Sequence, residues 1–116
     1  GETMSHISTH ILDTSRGKPA LGVIVTLEQL VNSNWAQINN GVTDADGRVG
    51  ALLPAGTELS AGDYRLRFAT GEYFHGLGLV VFYPEVIVQV RFDAPGGRYH
   101  LPLLLSPYGY STYRGS

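Results

Sequence analysis

The stretch "DYRLRFA", from Asp63 to Ala69, decides the fold class that this sequence predicts. Its apolar residues Tyr64, Leu66 and Phe68 alternate with two arginines, so they share one face of an extended segment. Because the opposite face carries the charges, the pattern predicts a strand of an antiparallel sheet with one solvated side.

Similar short runs, rich in β-branched and aromatic residues, recur about every 8 to 12 residues between clusters of Gly, Pro, Asn or Asp. This spacing is typical of an all-β sandwich. The predicted strands are His6 to Leu12, Gly22 to Leu30, Trp35 to Val42, Val49 to Leu53, Asp63 to Ala69, Val86 to Asp93, Arg98 to Leu105, and Tyr108 to Arg114.

The segments between these strands carry turn and helix signals. "DADG", Asp44 to Gly47, and "APGG", Ala94 to Gly97, contain residues that tolerate positive φ angles, and we interpret both as hairpin connections. In "TGEYFHGLG", Thr70 is a candidate N-cap, Glu72 falls in the first turn and Gly76 is a candidate stop. We therefore expect one short helix there.

Length and composition limit the function classes. The 116 residues predict a single domain, 1–116, in which Met4 is a candidate native start preceded by the added residues Gly1 to Thr3. The net charge of −2, without a basic stripe, argues against nucleic acid as a partner. The sequence contains no cysteine, which removes disulfides and thiolate nucleophiles.

The longest apolar run, Leu77 to Phe82, is much shorter than the roughly 20 residues needed to cross a bilayer. We therefore expect no membrane partner. We also expect a cytoplasmic location, or a periplasmic one if a signal peptide has been removed.

The polar motifs argue against a metal site. His6 and His10 have a spacing that suits zinc on a helix, but four residues of a strand span about 13 Å, too far for two ligands of one ion. A calcium loop beginning at Asp44 needs glycine at its sixth position and glutamate at its twelfth, where this chain has Val49 and Ala55. We interpret that segment as a turn.

Activated water is the most natural nucleophile here, because no serine lies in a Gly-x-Ser-x-Gly elbow. Such chemistry needs a base such as histidine and a cation or amide that stabilises the oxyanion. In the strand Arg98 to Leu105, alternation places His100 on the face opposite the leucines. The last strand, Tyr108 to Arg114, would invite self-association if it lay at a sheet edge.

Three motifs in order carry a resemblance to a known family: "STHILDTSRGKPA" from Ser8, "TDADGR", and the closing "YHLPLLLSPYGYSTYRGS". With them, the chain resembles the transthyretin-related 5-hydroxyisourate hydrolases over nearly its whole length. The resemblance implies a transthyretin-like, eight-stranded β-sandwich of two four-stranded sheets with one short helix. It also implies dimers formed through edge strands and a homotetramer with active sites in the channel between dimers.

The resemblance also implies an activity: hydrolysis of the lactam of 5-hydroxyisourate to 2-oxo-4-hydroxy-4-carboxy-5-ureidoimidazoline in urate degradation, with no cofactor and no metal. The catalytic residues that it implies are His10, Arg48, His100 and Ser116. The substrate-binding residues that it implies are His10, Arg48, Tyr113, Arg114 and Gly115. Which histidine is the general base stays open.

Two other functions remain as alternatives. A transthyretin-type carrier of thyroid hormone would share the fold and carry out no chemistry. As the family comparison stands, the carriers lack the two histidines, the turn arginine and the Tyr-Arg-Gly-Ser ending. In a β-sandwich adhesion or structural module, the three polar motifs would have no function. The motifs therefore favour the enzyme.

Overall fold

The structure is a computed structural model that describes residues 6–93 and 97–115. Over these ranges the chain forms nine strands and one helix. They are β1 (His6–Asp13), β2 (Lys18–Pro19), β3 (Ile24–Val31), β4 (Asn34–Val42), β5 (Arg48–Val49), β6 (Gly62–Phe68), α1 (Thr70–Gly76), β7 (Val86–Phe92), β8 (Arg98–Ser106) and β9 (Gly109–Thr112). The helix is too short to cross a membrane, and the described residues contain no longer one.

The strands form two sheets, as the sequence predicts. The first sheet has the order β2-β1-β8-β9, with β5 also paired to β1, and the second has the order β4-β3-β6-β7. Strands β5 and β2 pair with successive parts of the same edge of β1, so the first sheet is four positions wide. The prediction of an eight-stranded transthyretin-like sandwich is confirmed, with one edge position shared by two very short strands. The strand Lys18–Pro19 was not predicted, because two residues are too few to show alternation.

The core lies between the sheets, and the segment from Asp63 shows why. Tyr64, Leu66 and Phe68 are almost wholly buried, with at most 1% of their surface exposed. The intervening Arg65 and Arg67 point outward and form ion pairs with Glu28 of β3. Strand β6 pairs with both β3 and β7 in antiparallel fashion, which confirms the predicted sheet with one polar face.

The predicted strand Val49 to Leu53 is wrong in length, since pairing ends at Val49. Leu52 and Leu53 are both buried although they are neighbours, and in a sheet with one wet face two successive residues cannot both face the core. The segment instead folds as a loop, held in part by the Asn39 side chain, whose Nδ2 donates to the Leu52 carbonyl at 2.9 Å.

Both predicted hairpin connections are wrong. Asp44 to Gly47 does form a tight turn, in which the Gly47 N–H donates to the Asp44 carbonyl at 2.9 Å. However, the turn joins β4 of the second sheet to β5 of the first. Strands β7 and β8 likewise belong to different sheets, and Ala94–Gly96 lie outside the described residues. Turn residues signal a reversal of the chain, and they do not determine which strand the next one pairs with.

The predicted short helix is confirmed at Thr70–Gly76, with different capping. The N-cap is Ala69, not Thr70, and it makes no capping side-chain bond. Thr70 lies inside the first turn, where its hydroxyl is buried and has no hydrogen-bond partner among the described residues. The helix ends at Gly76 as predicted, and Gly78 then takes the positive φ of 75° that reverses the chain.

Candidate functional site

Strands β1, β5 and β8 bring three predicted site residues to the outer face of the first sheet. Within β1 the residues alternate, so that Ser8 and His10 face outward from the core. The strand register places His10 opposite Arg48 of β5 and Ser8 opposite His100 of β8. The two histidines and the arginine, which are far apart in the sequence, thus share one surface.

Arg48 takes its place from the turn before it. The Asp44 carboxylate caps this turn by accepting the backbone N–H groups of Asp46 and Arg48 at 2.9 and 3.0 Å. The Gly47 carbonyl accepts the Ile11 N–H at 2.8 Å, which joins the turn to β1. Gly47 has a φ of 77°, and a Cβ there would lie 2.3 Å from the Ile11 carbonyl oxygen. Only glycine permits this approach, which sets Arg48 beside His10.

His100 is held by a hydroxyl that the sequence analysis did not single out. The Ser8 Oγ lies 2.8 Å from the His100 Nδ1, close enough to fix the orientation of the ring. This leaves Nε2 as the ring nitrogen free to meet a reactant. Alternation from His10 could have revealed Ser8, because residues two apart in a strand share a face.

The surroundings of His100 favour its neutral form. Burial lowers the pKa of His100, and the positive charges of Arg48 and His10 lower it further, against an opposing hydrogen bond from the ring to the Ser8 backbone. An imidazole with a lowered pKa is unprotonated near neutral pH and can accept a proton. Because the charge of His10 contributes to this lowering, His10 also lies near enough to influence the ring electrostatically.

The chain end reaches the same place through its backbone. The Gly115 N–H donates to the His100 carbonyl at 2.8 Å, forming an isolated antiparallel bridge. A Cβ at Gly115 would lie 2.6 Å from the His100 Cδ2, so a larger residue would collide with the imidazole. Ser116, predicted to be catalytic, lies outside the described residues.

The other two residues of the tetrapeptide differ in position. Tyr113 is exposed, with 57% of its surface accessible, just after the end of β9. Arg114 does not join the histidines: its guanidinium carbon lies 5.3 Å from the centroid of the Tyr99 ring. Tyr99 stacks on Phe92 of the second sheet, so the contact of Arg114 lies on the side of β8 opposite His100. Substrate binding by Arg114 stays a prediction that this position does not favour.

A cleft of about 490 Å³ opens at the site, with Ser8, Arg48, His100 and Gly115 among its lining residues. Its volume suits a small molecule. Arg98 also lines it, adding a second cation that the sequence analysis did not propose. An adjoining apolar cavity of about 80 Å³, lined by Leu66, Val90 and Tyr99, shares His100 with this cleft and is too small for a substrate. Within 6–93 and 97–115, no three His, Asp or Glu side chains converge as a metal centre would require.

The chain is similar to known proteins over almost its whole length. The model of the HIUase/Transthyretin family matches residues 7–115. The chain is 52% identical over 110 residues to the 5-hydroxyisourate hydrolase of Salmonella dublin, covering 95% of this chain and 80% of that protein. The structure of Klebsiella pneumoniae 5-hydroxyisourate hydrolase matches with a TM-score of 0.85 at 39% identity, covering 97% of this chain and 100% of that one. Transthyretin from Sparus aurata matches with a TM-score of 0.87 at 34% identity, covering 94% and 95%.

Proposed function

This chain belongs to the HIUase/transthyretin family, and we propose that it is an enzyme that hydrolyses 5-hydroxyisourate. The product of this reaction is 2-oxo-4-hydroxy-4-carboxy-5-ureidoimidazoline, and the reaction is a step of urate degradation. The observation that carries the proposal is the convergence of His100, Arg48 and Gly115 on one cleft, with His10 paired to Arg48 in the strand register. This combination provides a base, a cation and a shaped pocket.

We assign the general base to His100. Its lowered pKa keeps the ring neutral, and the contact of Ser8 with Nδ1 leaves Nε2 to take a proton from water. The water oxygen then bonds to the lactam carbonyl carbon, whose oxygen becomes an oxyanion. When the intermediate collapses, the C–N bond of the lactam breaks and the proton passes from the imidazolium to the departing nitrogen. One water is consumed and no electrons are transferred.

Arg48 and His10 complete the assignment. The Arg48 guanidinium stabilises the oxyanion, a role worth about 10² to 10³ in rate when a single donor is removed. His10, opposite Arg48 in the β1–β5 pair, orients the substrate on the same face. We further propose that Tyr113 and Gly115 close one side of the cleft, and that Ser116 acts as a polar group beside the reacting atoms.

A thyroid-hormone carrier is the second candidate, because the structure of Sparus aurata transthyretin matches this fold with a TM-score of 0.87. Fold similarity alone does not distinguish a carrier from a hydrolase. The difference lies in the side chains: this cleft is lined by Arg48, Arg98 and His100, which supply the cations and the base that hydrolysis needs. The cleft therefore favours hydrolysis.

The deciding experiment follows the ultraviolet absorbance of freshly generated 5-hydroxyisourate after the protein is added. We expect decay much faster than the spontaneous reaction, and a loss of most of the acceleration in His10→Asn. His75→Asn, the same change at an exposed histidine of α1, is the matched control and should retain full turnover. Decay at the spontaneous rate by the folded protein would overturn the assignment, and tight thyroxine binding would then support the carrier.

We also propose a homotetramer, as the family resemblance implies. Two loops form one apolar surface, since the Phe82 N–H donates to the Pro107 carbonyl at 3.0 Å. This surface exposes Val80, Phe82 and Tyr108 by 79, 70 and 71%. Contiguous apolar exposure next to the edge strand β9 is typical of an association surface. A cytoplasmic location stays a prediction.

A further inference from the structure

A column of rings extends from the core to the C-terminal tetrapeptide. Tyr64, whose surface is wholly buried, stacks on Phe92 with the ring centroids 4.8 Å apart. Phe92 stacks on Tyr99 of β8 at 3.9 Å, with the ring planes only 19° apart. The Arg114 guanidinium carbon lies 5.3 Å from the centroid of the Tyr99 ring. The column thus links the second sheet, through β8, to the end of the chain.

Arg114 directly precedes Gly115, whose position beside His100 is tightly restricted. Gly115 is bonded to the His100 carbonyl and lies so close to the imidazole that even a methyl group would collide with it. The ladder hydrogen bonds of β9 end at Thr112, so the bond from Gly115 lies beyond the regular strand. A single backbone bond at an exposed chain end frays easily. Some further contact must hold the tetrapeptide against His100.

We propose that Arg114 is a positioning residue, which stacks on Tyr99 to hold Gly115, and with it the chain end, against the base His100. This inference rests on the proposed hydrolysis and assigns Arg114 a role that does not require contact with the substrate. The stack is geometrically suited to this role, because Tyr99 and His100 are neighbours in β8 that point to opposite faces. The tetrapeptide therefore holds β8 from both sides, with Arg114 over Tyr99 and Gly115 against His100.

The first experiment measures hydrogen exchange of the Gly115 amide by NMR, and it does not depend on catalysis. A cation–π contact at an exposed site corresponds to about a two- to fivefold population change, so Arg114→Ala should speed this exchange by that factor. Arg16→Ala is the control, since Arg16 is an exposed arginine that donates to the Tyr73 hydroxyl and does not line the cavity beside Tyr99, and it should leave Gly115 unchanged. Equal exchange in Arg114→Ala and the unaltered protein would overturn the proposal.

The second experiment is a double-mutant cycle on turnover. Arg114→Ala should lower kcat about two- to fivefold when Tyr99 is present, and should cost almost nothing further in a Tyr99→Leu background. In a Tyr99→Phe background, which keeps the ring, the cost should return. Equal losses in the Tyr99→Leu and unaltered backgrounds would mean that Arg114 acts without Tyr99, and would overturn the proposal.

The two experiments distinguish the two proposals. If the unaltered protein does not hydrolyse 5-hydroxyisourate, the proposed function fails, and the exchange of Gly115 alone still decides whether Arg114 holds the chain end. If Tyr99→Leu does not fold, the exchange measured in Arg114→Ala decides in the same way. Slow, unchanged exchange in that variant contradicts the anchoring role whatever the activity.

Discussion

At the scale of single residues, the chemistry depends on how His100 is kept neutral and oriented. Partial burial of its ring lowers the pKa of His100, and the neighbouring charges of Arg48 and His10, which disfavour a further cation, lower it further. A hydrogen bond with the Ser8 backbone opposes this lowering. The Ser8 hydroxyl contacts Nδ1 at 2.8 Å and fixes the orientation of the ring. Removing the charge of Arg48 should therefore change the pKa of His100, whereas removing the Ser8 hydroxyl should change the orientation of its ring.

Arg48→Gln should raise the pKa of His100, because a neighbouring positive charge is removed. It should also lower kcat by about 10² to 10³, since the oxyanion loses its cation. The pKa is measured by NMR titration of the His100 ring, and kcat by the absorbance assay. An unchanged pKa of His100 would show that the charge of Arg48 has no electrostatic effect on the ring.

Ser8→Ala should lower kcat, because the hydroxyl that fixes the orientation of the His100 ring is lost. It should leave the pKa of His100 in place, because alanine keeps the backbone group whose hydrogen bond raises that pKa. With His100 as the base, the rate falls as the pH drops through the lowered pKa, below the ordinary value of about 6.5. In Ser8→Ala this acid limb should stay in place, with a reduced plateau because the ring is less well oriented. Thr9→Ser, at a buried neighbouring position, controls for general effects on β1. A plateau equal to that of the unaltered protein would remove Ser8 from the mechanism.

At the scale of secondary-structure elements, the turn before β5 connects the two sheets and presents Arg48. Its contact with β1 is tight, because the Gly47 backbone approaches the Ile11 carbonyl and accepts the Ile11 N–H. Asp44 holds the other end by capping two backbone N–H groups. Asp44 and Asp46 resemble the start of a calcium loop in sequence. In the structure they belong to a turn in which the Asp44 carboxylate accepts backbone N–H groups.

Gly47→Ala should lower the free energy of unfolding by more than the roughly 1–2 kcal/mol that left-handed backbone alone costs a residue with a Cβ. The added methyl group would lie 2.3 Å from the Ile11 carbonyl oxygen. Gly17→Ala is a matched control, because Gly17 has a similar φ of 66° and nothing within 4 Å of its added Cβ. Urea unfolding measures both variants. Equal losses would show that the backbone conformation, and not the close approach, makes Gly47 necessary.

At the scale of the whole molecule, a single chain leaves its candidate site open. The site lies on the outer face of the first sheet, and neither sheet closes on itself, so β9 and the edge strands β4 and β7 each have an unpaired side within the described chain. A channel formed by several copies would exclude water from the cleft and strengthen the electrostatic contacts there. Assembly and activity should therefore be linked.

Sedimentation at micromolar concentration should give a mass about four times the 12.6 kDa of the single chain. Because the proposed tetramer would close the cleft, dilution below its dissociation range should lower turnover per chain. Phe82→Ser, on the exposed apolar surface, should raise the protein concentration at which the tetramer dissociates. Glu58→Ser, a change in a loop away from that surface, is the control. A monomer with undiminished turnover would contradict both the tetramer and its role in the site.

The sequence by itself determined which residues face the core and which face water, because a strand has a side-chain period of two. That period predicted the sandwich, the buried face of "DYRLRFA", and the opposite directions in which Tyr99 and His100 point. The resemblance added His10, Arg48 and His100 as a group, and the structure places them on one sheet. Only the tertiary structure decided which strands are neighbours. The parallel β1–β8 pair joins Ser8 to His100 across 92 positions, and the crossing of β5 to the first sheet brings Arg48 to His10. Periodicity sets the face of a residue but not the partner of its strand, since many registers satisfy the same alternation.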